Sequence, residues 1–222
     1  HFNKKKISII IRTFNEEEHI NDLLNAIQKQ KTIYDLEIIV VDSGSSDNTL
    51  SILKHRKIKY FSIEKKYFTF GKSLNLGCQN ATGCFLVFIS AHCIPIGNLW
   101  LDALINPIVN GECVYSYGRQ IGIQKTKFSE SQIFNKFYPE ISKIPQKGFF
   151  CNNANSALMR KIWLEYKFDE NLTGCEDIYL AKRLQADSHK IGYISEAKVY
   201  HIHNETWSQI KHRYQRESQA MS

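Results

Sequence analysis

The residues best suited to chemistry lie where a predicted apolar strand gives way to polar side chains. Residues 85–95 read FLVFISAHCIP, so an apolar run ends in Ser90, His92 and Cys93 just before a proline. An imidazole and a thiol at such a strand end can bind a metal ion, transfer a proton or take part in nucleophilic catalysis. A histidine that only caps the strand is the alternative, and the sequence reveals no Cys–His–acid arrangement.

Two groups of acids allow a functional and a structural interpretation in the same way. Asp42 ends the apolar run LEIIVVD, and Gly44 follows it in the turn. This carboxylate can accept hydrogen bonds from a ligand that approaches closely at the glycine, or it can belong to a capped turn. Glu176 and Asp177, in GCEDIYL, start a predicted helix. They can supply a general base, or they can simply interact favourably with the helix dipole.

Near the C-terminus, histidines and arginines recur at spacings that place them on one face of an element. His201 and His203 alternate along a predicted strand, so both side chains point to the same side of it. They can bind a metal or form a structural pair. Arg213 and Arg216 are three residues apart on a predicted basic helix. There they can clamp a diphosphate, rest on anionic lipid or face solvent.

The order of the predicted elements indicates how these residues can meet. Four apolar strands alternate with helices in the first half of the chain, which predicts an α/β fold with a mainly parallel sheet and helices on both faces. In such sheets, ligands bind beyond the carboxyl ends of the strands. The alternation weakens after residue 112, where we predict further strands, a helix from the acid pair and a C-terminal amphipathic helix. The predicted strand ends are residues 12–15, 42–46, 64–72 and 90–93.

Composition indicates the number of domains, the compartment and the partners to expect. The 222 residues contain no linker-like stretch, and the six cysteines form no C-x-x-C pair, so we expect one domain with reduced, intracellular thiols. No apolar segment reaches the ~18 residues of a membrane span, and the N-terminus is unlike a signal peptide. The net charge of +7 suggests phosphates, nucleic acid or an acidic membrane surface as partners. The phosphate-binding glycine motifs of P-loop and nicotinamide enzymes are absent from the sequence.

Taken in order, several motifs resemble family-two glycosyltransferases, which have the GT-A fold. They cover nearly the whole chain, and the ordered set is far more specific than any single motif. The resemblance implies one GT-A domain over residues 1–222, with a nucleotide-sugar-binding half (1–112) and an acceptor-binding half (113–222). We expect this domain to be part of a longer protein. The motifs are IIIRTFNEEEHI, LEIIVVDSGSSDNT, FGKSLNLGCQNATGCFLVFISAHCIP, NNANSALMRK and TGCEDIYLAKRL.

The resemblance also implies roles for single residues. It makes Asp177 the general base and Glu176 a neighbour that contacts acceptor hydroxyls. It assigns acceptor binding to the amides of Asn152, Asn153 and Asn155. It assigns donor binding to Arg12, Thr13, Glu16, Asp42 and Lys72. We add as further donor-binding candidates Ser43, Ser90, His92, Arg213 and Arg216.

The family's D-x-D carboxylate motif, which binds a divalent metal, has no counterpart in this chain. Ser90-Ala91-His92 stands in its place, with His92 at the position of the second acid. Imidazole binds Mn²⁺ but suits the harder Mg²⁺ less well. Two outcomes follow. Either His92 holds a divalent metal together with His201 or His203, or the enzyme is metal-independent and arginine and lysine neutralise the phosphates.

The resemblance therefore implies an inverting glycosyltransferase that moves a sugar from a nucleotide-sugar donor to a glycan or lipid-linked acceptor in bacterial capsule or O-antigen synthesis. We expect a cytoplasmic protein, with peripheral contact of its last helix at the inner face of the membrane, and no nucleic-acid partner. Two alternatives belong to other classes. A sugar nucleotidyltransferase needs a glycine-rich loop after the first strand, which RTFNEEE lacks. A carbohydrate-binding domain without catalysis has no need for Asp177.

Overall fold

The computed structural model describes residues 5–123 and 128–202, together with Lys211 and Gln215. Within them the chain forms strands, α-helices and one 3₁₀ turn at Lys65–Tyr67. The strands are β1 (Lys6–Thr13), β2 (Asp35–Asp42), β3 (Lys59–Ser62), β4 (Phe85–Ser90), β5 (Cys93–Pro95), β6 (Tyr115–Ile121), β7 (Asn155–Met159) and β8 (Ile191–His201). The helices are α1 (Ile20–Gln28), α2 (Thr49–His55), α3 (Phe70–Gln79), α4 (Trp100–Val109), α5 (Phe128–Phe137), α6 (Arg160–Glu165) and α7 (Glu176–Ala186).

All these strands belong to one sheet, in the order β3-β2-β1-β4-β7-β6-β8-β5. The four strands from β3 to β4 are parallel, as the alternation of strands and helices predicted. The other half is mixed, because β7 runs antiparallel to both β4 and β6, whereas β6 and β8 are parallel. Strand β5 follows β4 directly in the chain but pairs with β8 at the far edge. The sheet must therefore curl until this edge returns to the end of β4.

The sheet lies between two hydrophobic clusters, and the alternation of side chains along each strand decides which cluster a residue joins. In β1, Ile9 and Ile11 pack in the cluster that also contains residues of α1 and α4. Ile10, between them, packs in the cluster formed with α3, α6 and α7. All three isoleucines are fully buried. Because β1 is covered on both faces, its continuous apolar run is what a central parallel strand requires.

The strand register aligns the ends that carry the predicted site residues. Thr13 lies opposite Asp42 at the ends of β1 and β2, and Arg12 lies opposite Ser90 at the end of β4. The turn before β5 and the end of β8 then bring in the histidines, since Cys93 is paired with His201. The predicted helix that contains Arg213 and Arg216 falls outside the described residues, as does His203. No helix among the described residues has the length and apolar character of a membrane span.

Close contact between β6 and β8 depends on a glycine. Gly118 lies just before a register shift in this pair, and a Cβ atom built there would be 2.2 Å from the carbonyl oxygen of Ala197. The same Cβ would be 2.4 Å from the side-chain amide nitrogen of Asn155. The carbonyl belongs to the backbone, and the Asn155 amide is buried and held by hydrogen bonds to Trp100 and Ala197. A residue with a side chain at this position must push the two strands apart.

We expect Gly118→Ala to lower the free energy of unfolding by about 1–3 kcal/mol or more, the usual cost of overpacking a tight site. Gly148→Ala is the matched control, because nothing lies within 4 Å of a Cβ atom at that glycine. Urea denaturation followed by circular dichroism measures both. Equal stability of the two variants would show that β6 and β8 can separate at little cost.

Candidate active site

Two adjacent acids begin helix α7 and lie almost entirely out of solvent. Glu176 is 4% exposed and Asp177 is 8% exposed. The backbone N–H groups of Asn153 and Ile178 donate hydrogen bonds of 2.9 and 2.8 Å to the two carboxylate oxygens of Asp177. Cys175, just before the pair, has a left-handed backbone with φ of 58°, which costs a non-glycine residue free energy. The turn into α7 thus fixes the orientation of the Asp177 carboxylate.

Burial dominates the electrostatics of this pair. It raises the pKa of Glu176 to about 7, and the charge of Asp177 acts in the same direction. Burial also raises the pKa of Asp177, although two backbone hydrogen bonds and the charge of Arg12 oppose the shift. The helix N-terminus and the arginine favour the ionised forms, but desolvation outweighs them. The pair can therefore take up a proton closer to neutral pH than an exposed carboxylate can.

Arg12 connects the acid pair to the strand ends of the N-terminal half. Its Nη1 atom lies 3.7 Å from a carboxylate oxygen of Glu176, an ion pair too long to be a hydrogen bond. Its guanidinium carbon lies 5.0 Å from the centre of the Phe70 ring at the start of α3. The buried Nε and Nη1 atoms have no hydrogen-bond partner within the described part of the chain. The guanidinium thus keeps donors that an anionic ligand can use.

The loops after β1 and β2 are joined by side-chain hydrogen bonds. The backbone N–H of Asn15 donates to Ser45 Oγ, and the Asn15 side chain accepts from the backbone N–H of Ser46, each at 2.8 Å. Asp42 is fully buried, and its carboxylate accepts the backbone N–H groups of Gly44 and Ser45. Asp42 therefore shapes its own turn in this structure, and its contact with a nucleoside stays a prediction.

The other predicted donor residues lie around this pair of loops. Ser43 is buried, and its backbone N–H donates to the carbonyl of Thr13 at 3.0 Å. Thr13 is also buried, and its hydroxyl oxygen has no hydrogen-bond partner among the residues that the structure describes. Lys72 is exposed in the first turn of α3, with its ammonium 5.4 Å from the centre of the Tyr67 ring. The amine is held beside the loops by a cation–π contact.

Two of the three histidines predicted to bind a metal lie in the described part of the chain, and they stack on each other at the end of the curled sheet. The rings of His92 and His201 are 5.1 Å apart and nearly parallel. His92 Nδ1 lies 2.6 Å from a carboxylate oxygen of Glu16, and His201 Nδ1 lies 2.5 Å from the Gln120 side chain. The sequence predicted Glu16 as a donor-binding residue, but its pairing with His92 was not foreseen. No sequence pattern marked Gln120 as a site residue.

The hydrogen-bond partners of both rings show that each carries a proton on Nδ1. The backbone N–H of Ala154 can only donate, so the side-chain atom of Asn152 that it contacts is the carbonyl oxygen. Gln120 must therefore turn its NH₂ group to that oxygen and its own carbonyl to His201. A carbonyl only accepts, so His201 carries its proton on Nδ1. The Glu16 carboxylate likewise accepts a hydrogen bond from the Nδ1–H of His92. In its neutral form, an imidazole with the proton on Nδ1 has its lone pair on Nε2.

Neutral imidazole is a common ligand of divalent transition-metal ions. His92, Cys93 and His201 have potential ligand atoms within 4.8 Å of one another. Cys93 is fully buried, and burial raises the pKa of its thiol, so the thiolate that metals prefer is disfavoured. The chain thus offers two imidazoles as its main donors. This set suits Mn²⁺ and softer ions better than Mg²⁺.

The three asparagines predicted to bind the acceptor differ in their exposure to solvent. Asn155 is fully buried, accepting from the Trp100 indole at 2.9 Å and donating to the carbonyl of Ala197 at 2.8 Å. Asn153 is also fully buried and accepts from Tyr115 and Ser156. These amides tie strands together, so direct contact with an acceptor does not agree with their positions here. Asn152, which is partly exposed, is the one of the three placed to meet a ligand.

Comparison with known proteins agrees with this architecture. A model of glycosyl transferase family 2 matches residues 8–166. The O-antigen chain rhamnosyltransferase RfbN of Salmonella typhimurium is 30% identical over 221 residues, covering 94% of this chain and 70% of the relative.

Solved structures show the same fold at low identity. The S. aureus TarS 1-349 structure in complex with UDP-GlcNAc has a TM-score of 0.70 at 21% identity, covering 90% of this chain and 59% of that one. The mannosyltransferase PcManGT from Pyrobaculum calidifontis, in complex with GDP-Man and Mn²⁺, has a TM-score of 0.73 at 16% identity. It matches 99% of this chain, which spans 63% of its length. The curled mixed sheet is thus a GT-A fold, and the chain belongs to glycosyl transferase family 2.

Proposed function

We propose that this chain is the catalytic domain of an inverting glycosyltransferase that uses a nucleotide-sugar donor and a glycan or lipid-linked acceptor of a bacterial surface polysaccharide. The observation that carries the proposal is the buried acid pair, with Asp177 oriented by two backbone N–H groups and Glu176 in contact with Arg12 from the N-terminal half. The rhamnosyltransferase relative acts on the O-antigen chain, which supports a related acceptor class here. Residues 1–112 would bind the donor and residues 113–222 the acceptor.

The reaction is a single displacement at the anomeric carbon. Asp177 takes the proton of the acceptor hydroxyl as that oxygen forms its bond to the carbon. The bond from the carbon to the diphosphate oxygen breaks on the opposite face, and the nucleoside diphosphate leaves with the electron pair. The raised pKa of Asp177 makes the carboxylate a stronger base than an exposed one. Its two backbone hydrogen bonds hold it in one orientation during the transfer.

The N-terminal half supplies positive charge to the departing diphosphate. Arg12 has guanidinium donors with no hydrogen-bond partner among the described residues, and Lys72 extends from the first turn of α3. His92 and His201 would hold a divalent metal, which supplies positive charge to the phosphates when it is bound. Arg213 and Arg216 were predicted to act there too, and His203 to join the metal ligands. Peripheral membrane contact also stays a prediction, since it rests on the same C-terminal segment.

A cytoplasmic location agrees with the state of the thiols. All six cysteines are free thiols. Disulfides are rare in the reducing cytosol, whereas secreted proteins generally form them. We therefore place the transfer reaction on the cytoplasmic side, where nucleotide sugars are the expected donors. No nucleic acid is required by any step of the mechanism.

We expect Asp177→Asn to lower kcat by about 10²–10⁴-fold, the usual contribution of a general base. Binding of the donor should change little, because Asp177 acts on the acceptor hydroxyl. Asp187→Asn, which removes an exposed carboxylate at the other end of α7, is the matched control. Release of nucleoside diphosphate in the presence of an acceptor extract measures turnover, and donor titration measures binding. Transfer by Asp177→Asn at the wild-type rate would remove the base from the mechanism.

The acid pair also predicts a pH dependence. Protonation inactivates the base, and burial raises the pKa of Asp177, so kcat/KM should begin to fall at a higher pH than it would with an exposed aspartate as base. Arg12→Gln removes a positive charge that lowers the pKa of both acids. We therefore expect the acid limb of the pH profile to move to higher pH in this variant. Glu112→Gln, at an exposed site, should leave the limb in place; a limb that does not move in Arg12→Gln contradicts the electrostatic contact between Arg12 and the acids.

Binding of Mn²⁺, followed by the loss of its free electron paramagnetic resonance signal, tests the histidine pair without turnover. We expect His201→Asn to abolish tight binding and Gln120→Leu to weaken it about 10–100-fold, because Gln120 fixes the proton of His201. His189→Asn, away from the pair, is the control. If the wild type binds Mn²⁺ no better than His201→Asn, the phosphates are neutralised by arginine and lysine alone.

A further inference from the structure

A small cavity between the end of β6 and helix α5 is not used by the mechanism above. Its volume is about 130 Å³, and its walls are formed by Arg119, Gln120, Ile121, Gly122, Phe134, Asn135 and Tyr138. Pockets for drug-sized ligands usually measure ~300–1,000 Å³. The space therefore fits one small ring, not an extended oligosaccharide.

The cavity lies next to both functional clusters. Phe134 stacks on His201 with ring centres 5.6 Å apart, and Gln120 bonds to both His201 and Asn152. Asn152 is followed in the chain by Asn153, whose backbone N–H donates to Asp177. A ligand in the cavity would thus lie beside the residues that join the histidine pair to Asp177. None of the described residues of the N-terminal half, where the donor site is proposed, lines it.

The chemistry of the walls decides the class of ligand. Phe134 and Tyr138 supply aromatic surface, and the exposed side chain of Asn135 supplies an amide. Arg119 supplies a guanidinium whose Nη2 lies 3.0 Å from the Glu140 carboxylate. Its Nε atom is buried and has no hydrogen-bond partner among the residues described. Apolar rings with a few fixed donors and acceptors suit a polyol ring with one hydrophobic face.

The charges around the cavity favour a neutral sugar over a sugar phosphate. An unpaired arginine would favour an anion, but the Glu140 carboxylate compensates the charge of Arg119 and would repel a second negative group. Hydroxyl groups, by contrast, can use the remaining donors of the guanidinium and the acceptors of the carboxylate. We propose that this cavity binds one uncharged sugar ring of the acceptor and that Arg119 and Asn135 determine its selection. The inference rests on the proposed transfer reaction.

Ligand-observed saturation-transfer NMR can test this site with the full chain. The probes are neutral methyl glycosides of rhamnose, mannose, galactose and glucose, with mannose 6-phosphate and glucose 6-phosphate as charged counterparts. We expect at least one neutral glycoside to bind, and to bind about tenfold more weakly after Asn135→Ala or Arg119→Gln, as the loss of a hydrogen bond predicts. Asn110→Ala, an exposed asparagine at the end of α4, is the control and should bind normally.

Three results would overturn the proposal. The first is equal binding of the glycoside by all the variants, and the second is preferential binding of the sugar phosphates. The third is displacement of the glycoside by UDP-, GDP- or dTDP-sugars but not by the free nucleotides. The last result would assign the cavity to the donor sugar. The experiment is repeated with Asp177→Asn, in which binding should persist. Loss of glycoside binding in this variant would show that the glycoside binds at Asp177 itself and not in the cavity. Normal turnover by the same variant would contradict the proposed mechanism but not the proposed sugar site.

Discussion

The placement of a buried acid pair against an arginine from the other half of the chain is the constraint on which the site depends. Two carboxylates are costly to bury, and each must be compensated by hydrogen bonds or charge. Here the compensation for Asp177 comes from backbone N–H groups, and that for Glu176 comes in part from Arg12. Because Arg12 lies on β1, this strand and helix α7 must pack together before the acids can be accommodated.

A second connection runs through the histidines. Glu16 orients His92, His92 stacks on His201, and Gln120 links His201 to Asn152. The chain of contacts begins in the loop after β1 and ends beside Asn153, whose backbone N–H holds the base. Ser90 and His92, at the end of β4, are thus accompanied by a nearby glutamate. The Glu16 carboxylate contacts the imidazole directly, 2.6 Å from its Nδ1 atom.

Much of the fold could be predicted because its signals are local. Continuous apolar runs mark β1, β2 and β4, and the helical spacing of apolar residues marks α1 and α7. The strand ends were also located correctly, since parallel strands share one carboxyl edge. What could not be predicted is how deep each polar side chain lies. Asp42 and Asn155 have the residue types of ligand-binding groups, yet both are fully buried and bonded internally.

The contribution of Gln120 had no local signal, because a single glutamine in a strand has no distinctive spacing. Its importance arises from the curl of the sheet, which pairs β5 with β8 rather than with β4. That topology also has a kinetic consequence. His201 ends β8, so contacts of high sequence separation must form before both imidazoles can meet, and such contacts slow folding. A ribosome-bound chain that ends before residue 201 can fold much of its parallel sheet but cannot assemble the stacked rings.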